Sequence, residues 1–299
     1  MRSLEERIAE LIQAANDIGL HATDGQVLSD GGNLIVRLLP CDCVCRVMTL
    51  FGDENPTYWR DVLSREVRVA QYLHGQGVPV VTPVSNMDPG PHPVGNTWFT
   101  VWEYVSPVEH SDLSVDEAYV LLRKVEVGLK TYPHALPILG TWKPVESAVE
   151  NLSRIDDERV TSLIRFWETV DRRLKALPRN ELVPVHGDAH LGNLIASASG
   201  WLWMDFEDCS LMPPFWDLAA AVGRTYLFGE ERPFSNRLMA MYLGEIPSEE
   251  VVGQFNLALA ARLVQSMSLN LDLTLHGHGN ADLCWRRVEN GLHVLAQIV

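Results

Sequence analysis

The hydrophobic pattern of this chain changes character near Ser106, and that change constrains the fold more than any other feature. Before it, residues 33–39 (NLIVRLL), 43–51 (CVCRVMTLF) and 97–105 (TWFTVWEYV) are short apolar, β-branched runs of strand length. After it, apolar residues recur at helical spacing from Val115 to about Leu177 and again from Pro247 to the C-terminus. A short β-rich segment, 182–206, separates the two helical stretches. Two helices also belong to the first part. One carries Leu4, Ile8, Leu11, Ile12, Ala15 and Ile18 on one face; the other spans 58–77 through Val62, Val69, Tyr72 and Leu73, with a glycine at its end. SDGGN (29–33) reads as a tight turn. The expectation is an α+β chain with a small β-rich part over 1–105 and a larger, mostly helical part over 106–299.

Composition narrows the class. At 299 residues with 46% hydrophobic and 21% charged residues, the chain suits a soluble globular protein. No run approaches the roughly 18 apolar residues of a membrane span, and charges interrupt the N-terminal stretch before a signal-peptide core can form. Five cysteines are an odd number, and Cys41, Cys43 and Cys45 alternate, which suits one strand face better than a zinc site. Reduced thiols and a cytoplasmic location are expected, as monomer or homodimer, with neither membrane nor nucleic acid as partner. A net charge of −15 opposes nucleic-acid binding. It mildly favours a cationic small-molecule substrate.

The chemistry concentrates in VPVHGDAHLGN (183–193) and the residues after it. His186, Asp188 and His190 alternate, so this is a metal cluster, a catalytic loop or a polar turn. NLIA and WLWMD flank SASG and read as a hairpin. With 196 opposite 201, the antiparallel ladder sets Asn193 opposite Met204, next to Asp205. Two carboxylates and an amide oxygen at one rim are hard oxygen donors of the kind Mg²⁺ takes, usually one or two from protein. Asp188 is then left as a base, the combination phosphoryl transfer needs.

HGDAHLGN followed by DFED resembles the H-G-D-x-H-x-x-N and D-F/W-E motifs of the aminoglycoside phosphotransferase and choline kinase-like family, relatives of the protein kinases. The likeness extends over roughly 35–225. VCRV (44–47) resembles the strand that carries the phosphate-binding lysine, SREVRVAQYL the helix of its paired glutamate, WEYVSP the interlobe hinge, and PPFWDLAAAV (213–222) the downstream P-x-x-W-D-L-A segment. The resemblance implies a two-lobed protein-kinase-like fold and transfer of the γ-phosphoryl of ATP or GTP, with Mg²⁺, to an alcohol. The acceptor would be an aminoglycoside-like antibiotic, choline, or another amino alcohol or sugar. It further implies Asp188 as the base, Asn193 and Asp205 as metal ligands, and Arg46 paired with Glu66 near the phosphates. Backbone groups of Glu103 and Val105 would meet the purine and Gly32 the phosphates, while His186, His190 and Asp217 would brace the loop.

The chain departs from the pattern at four points. Arg46 stands where most relatives have lysine, and SDGGNLIV lacks G-x-G-x-x-G. Gly187 replaces the protein-kinase arginine and Glu207 the glycine of D-F-G, so switching by phosphorylation is not expected. Two other readings compete: a nucleotide-binding pseudokinase with a regulatory role, and a metallohydrolase using His186, Asp188 and His190. His276 and His278 in LHGHGN read as a glycine-rich loop between helices, and Trp142 and Trp285 as core residues rather than an ammonium box.

Overall fold

In the computed structural model the described residues are 3–49, 55–109, 112–277 and 279–299. Their strands run β1 (Asp24–Asp30), β2 (Asn33–Leu39), β3 (Cys43–Met48), β4 (His92–Val94), β5 (Thr97–Glu103), β6 (Val183–Val185), β7 (Leu194–Ser197), β8 (Gly200–Trp203) and β9 (Ser210–Met212). The helices are α1 (Leu4–Asp17), α2 (Pro56–Gly75), α3 (Val115–Leu129), α4 (Lys143–Leu152), α5 (Glu158–Lys175), α6 (Trp216–Phe228), α7 (Pro233–Leu243), α8 (Glu249–Leu275) and α9 (Ala281–Ile298). They fall into two units: the described residues up to 109 with 194–207, and 112–193 with 208–299.

The first unit is built on an antiparallel sheet of order β1-β2-β3-β5-β4. Strict alternation in β2 buries Leu34, Val36 and Leu38 on one face, where Cys43, Cys45, Val47, Phe99 and Val101 join Leu11 and Ala15 of α1 in one apolar cluster. Burial pushes the Cys43 thiol up to about 11 and raises Cys45 well above its ordinary value, so these free thiols act as small hydrophobes. The opposite face of β3 carries Arg46, whose cross-strand neighbour is Thr100. Helix α2 starts at Pro56, two residues before the periodicity suggests. Asn55 caps it by accepting from the Tyr58 amide at 3.2 Å, and proline fits the first helical position.

The hairpin β7–β8 keeps the expected register, Ala196 opposite Trp201 and Leu194 opposite Trp203. It groups with the first unit, whereas a division at 105/106 places it with the helical residues. Long-range backbone bonds are the cause. Trp203 donates to the Pro79 carbonyl at 2.9 Å and accepts from the Val81 amide at 2.8 Å, and Val108 donates to the Ala196 carbonyl at 3.2 Å. The segment expected to be a strand over 97–105 ends at Glu103, and the last two residues of 43–51 lie outside the described set.

In the second unit α8 is the central helix, packed by α4, α5, α6 and α9. Its 27 residues, about 40 Å at 1.5 Å each, are buried from Phe255 to Leu271 on most sides, which is why it occupies the middle. The small sheet β6–β9 pairs Val185 with Ser210 and carries the chain into the loop 186–193. No helix among the described residues is long and apolar enough to cross a membrane.

Candidate active site

In the first unit one buried guanidinium gathers three carboxylates. Arg46 pairs through Nη1 with Glu66 and through Nη2 with Asp205 Oδ1 at 2.8 Å and Glu207 Oε2 at 2.6 Å. Asn33, its amide oxygen turned inward, accepts from Arg46 Nη2 at 2.7 Å. Arg65 adds a bond from Nη2 to the Glu207 carbonyl at 2.7 Å. One positive charge against three negative ones leaves an excess of about two at full ionisation, and desolvation makes such an excess costly. Glu66 shows the strain: burial, with Asp205 and Glu207 beside it, pushes its carboxyl up to about 8 against the pull of Arg46. Its Oε2 is buried without a hydrogen bond. Asp205 itself lies at φ +68°, a left-handed conformation uncommon for a residue with a side chain.

The remaining expected nucleotide residues of this unit are less engaged. The Gly32 carbonyl accepts from the Thr49 hydroxyl at 3.0 Å in the β1–β2 turn. The Glu103 amide donates to the Thr82 carbonyl at 2.9 Å, so a purine would meet Glu103 through its carbonyl rather than its N–H. Val105 lies beyond the end of β5 and is half-buried.

In the second unit the loop 186–193 is held from below and from the side. Asp217, in the first turn of α6, accepts from the His186 amide at 2.8 Å and the Gly187 amide at 3.0 Å. Burial raises the Asp217 carboxyl, although His186 and these amides oppose the shift. Trp216 Nε1 donates to the Gly187 carbonyl at 2.8 Å. Gly187 has φ +96°, and a Cβ there would stand 2.1 Å from the Asp208 carbonyl oxygen, so the loop passes too close to its neighbour for any other residue. This gives the departure at 187 a steric cause.

Asp188 is the focus of that loop. Its Oδ1 accepts from Arg262 Nη2 at 2.6 Å, and His190 Nε2 lies 3.5 Å from Oδ2. Asn193 Nδ2 donates to the Asp188 carbonyl at 2.9 Å. His186 is fully buried and receives the Asp188 amide at 3.4 Å on Nδ1. Burial would raise the Asp188 carboxyl, but Arg262 and His190 overcome it and hold the group below its ordinary value. The group therefore stands ionised, suited to accept and orient a hydroxyl.

Arg262 and Glu207 are the residues the sequence reading missed as site members. Arg262 is anchored by a bond to Gln265 Oε1 at 2.8 Å, and Gln265 in turn donates to Thr141. The signal was a charged and an amide residue three apart inside the apolar run LALAARLVQSM. Among the described residues no group of three His, Cys, Asp or Glu side chains is arranged to hold a metal. The His186, Asp188 and His190 trio therefore lacks the geometry of a hydrolase centre. In the first unit the hard carboxylate oxygens and excess negative charge around Asp205 suit a cation such as Mg²⁺, which takes only one or two protein ligands. His276 closes the end of α8 against the Asp272 carbonyl at 2.8 Å, and His278 lies outside the described residues. Trp142 is buried and bonded to Asp171 at 3.0 Å, and Trp285 is covered by the Arg159 guanidinium at 4.0 Å, so these two form no ammonium box.

The fold is that of the kinase-like phosphotransferases, with a β-sheet N-terminal part and a helical C-terminal part. Similar solved structures include an amicoumacin kinase, hAmiN, in complex with AMP-PNP, Ca²⁺ and Ami, at TM-score 0.73 and 13% identity over 99% of this chain and 96% of that one. The choline kinase LicA from Streptococcus pneumoniae matches at TM-score 0.68 and 17% identity over 99% and 100%. The GDP and kanamycin complex of APH(2")-IIia matches at TM-score 0.60 and 15% identity over 97% and 96%. The sequence model of the phosphotransferase enzyme family, APH, matches residues 19–252. The chain belongs to that family.

Proposed function

We propose that the protein is a small-molecule kinase that transfers the γ-phosphoryl group of ATP or GTP to a hydroxyl group, with Asp188 orienting the hydroxyl. The observation that carries this reading is the posture of Asp188: an ionised carboxylate on a loop pinned by Asp217, flanked by Arg262, His190 and Asn193. Asp205 and Asn193 are the proposed Mg²⁺ ligands. They border one hairpin in sequence, Asn193 just before Leu194 and Asp205 two residues after its partner Trp203. The metal would neutralise charge on the β- and γ-phosphate oxygens. Arg46, oriented by Glu66, supplies a fixed positive charge for the phosphates. The Gly32 turn and the backbone of Glu103 and Val105 complete the nucleotide contacts, and His186, His190 and Asp217 keep the loop in shape.

The ion pair between Arg46 and Asp205 supports a second reading, a nucleotide-binding pseudokinase in which Arg46 occupies the metal-binding carboxylate. One experiment separates the two: nucleotide binding and nucleoside-diphosphate release, measured with and without Mg²⁺ across amino alcohols, sugars, hydroxy acids and antibiotics. Acceptor-dependent release that needs Mg²⁺ supports the kinase. Nucleotide binding with no release for any acceptor supports the pseudokinase.

A further inference from the structure

The second unit contains a cavity of about 170 Å³ whose walls include His190, Arg224, Phe228, Arg262, Ser266 and Arg287. Two of these, Arg262 and His190, also contact Asp188, so the cavity shares two side chains with the proposed hydroxyl-orienting group. Its other wall is cationic. Arg224 and Arg287 both lie against the Phe228 ring, their guanidinium carbons 4.8 and 4.3 Å from its centroid. Among the described residues no carboxylate stands within ion-pair distance of either. The best hydrogen bond from Arg287 is a 3.5 Å contact to Asn270 Oδ1, and its Nε is buried without a partner. Burial lowers its pKa, and Arg224 adds to the effect.

No lining residue is acidic, although the whole chain carries −15. Two guanidiniums without an ion-pair partner among the described residues share one aromatic ring, one of them exposed and the other half-buried. An anion supplies that partner, and the guanidinium fork matches carboxylate and phosphate oxygens. A cationic head group would meet three arginines instead. The volume lies below the roughly 300–1,000 Å³ of drug-sized ligand sites, so it suits a group of a few heavy atoms.

We infer that the acceptor is a small hydroxyl compound bearing a carboxylate or phosphate, its anionic end held by Arg224 and Arg287 and its hydroxyl directed to Asp188. This rests on the kinase reading above and reverses the cationic acceptor suggested by net charge. In the transfer, the acceptor oxygen forms a bond to the γ-phosphorus as the bond to the β–γ bridging oxygen breaks. The nucleoside diphosphate leaves with that electron pair, and the hydroxyl proton passes to Asp188 and then to solvent.

The test uses the full chain and four compounds of similar size: glycerate, glycerol 3-phosphate, glycerol and serinol. Calorimetric binding without nucleotide is compared with KM and kcat in the presence of nucleotide and Mg²⁺. Glycerate or glycerol 3-phosphate should bind at least tenfold more tightly than glycerol or serinol, and the stronger of the two identifies the anion. The single variants Arg224→Gln and Arg287→Gln should each weaken that anion roughly 10–100-fold, the range of a charged hydrogen bond, mainly in KM. Arg224 is exposed, so its replacement leaves folding intact. Serinol binding as tightly as the anions, or anion binding unchanged in both variants, overturns the inference. Transfer to cationic alcohols without anion binding sinks the inference and leaves the kinase standing. Anion binding that both variants weaken, with no transfer to any acceptor, supports the anion site and removes the kinase reading.

Discussion

Arg262 Nη2 stands 2.6 Å from Asp188 Oδ1, across 74 residues of sequence, and with His190 it holds the carboxyl at the centre of the loop below its ordinary value against burial. Of the two, Arg262 is nearly buried, so the pair is poorly screened by solvent.

The pH profile follows from that pair. A carboxyl held below its ordinary value stabilises the fold above the unfolded pKa of about 3.9, and the contribution is lost as pH falls through the lowered folded value. The acid limb of kcat/KM should therefore lie below the usual carboxylate range. In Arg262→Gln it should move upward, because burial then acts on Asp188 with less opposition. An unmoved limb would separate Arg262 from the control of Asp188.

Gly187→Ala should be among the most damaging small substitutions. It combines a left-handed φ with a 2.1 Å approach to the Asp208 carbonyl oxygen. Strain of this kind costs about 1–3 kcal/mol before the clash is counted. Thermal unfolding should show a fall of several degrees, and Gly19→Ala, at φ +96° in open space, should lose less.

The Arg46 cluster gives a stability prediction. Arg46→Met leaves Asp205 and Glu207 without their guanidinium and Glu66 buried as a neutral acid, and should destabilise the chain in urea unfolding by less than the roughly 3–5 kcal/mol of a stranded buried charge. Arg46→Lys keeps the charge but lacks the fork that reaches three carboxylates at once, so its loss should be smaller. Equal stability of the two variants would mean that the ionic network contributes little.

Metal dependence tests the carboxylate excess. In the wild type Mg²⁺ should strengthen nucleotide binding, and in Asp205→Asn that response should vanish. Without metal the same variant should be at least as stable as wild type, since one of three crowded negative charges is gone. Retained Mg²⁺ response in Asp205→Asn would place the metal elsewhere.

Much of this was legible because it is local. The register of β7–β8 follows from SASG between two short apolar strands, and β2 alternates without a fault. Strand β1, DGQVLSD, escaped because it is a polar edge strand whose only fully paired neighbour is β2. The place of the hairpin in the first unit depends on bonds to Pro79, Val81 and Val108, which no local pattern encodes. Glu207 was visible only as a missing glycine, and its pairing with Arg46 spans 161 residues. Net charge is the least local of these signals, because −15 averages over the whole chain and says nothing of three arginines at one cavity.

The most direct test of the central claim is a single-turnover measurement of γ-phosphoryl transfer by wild type and Asp188→Asn at saturating nucleotide, Mg²⁺ and acceptor. The substitution keeps the shape of the side chain and removes its charge. The transfer rate should fall by roughly 10²–10⁴, the usual contribution of such a group, with nucleotide binding retained. Transfer at the wild-type rate would contradict the role assigned to Asp188.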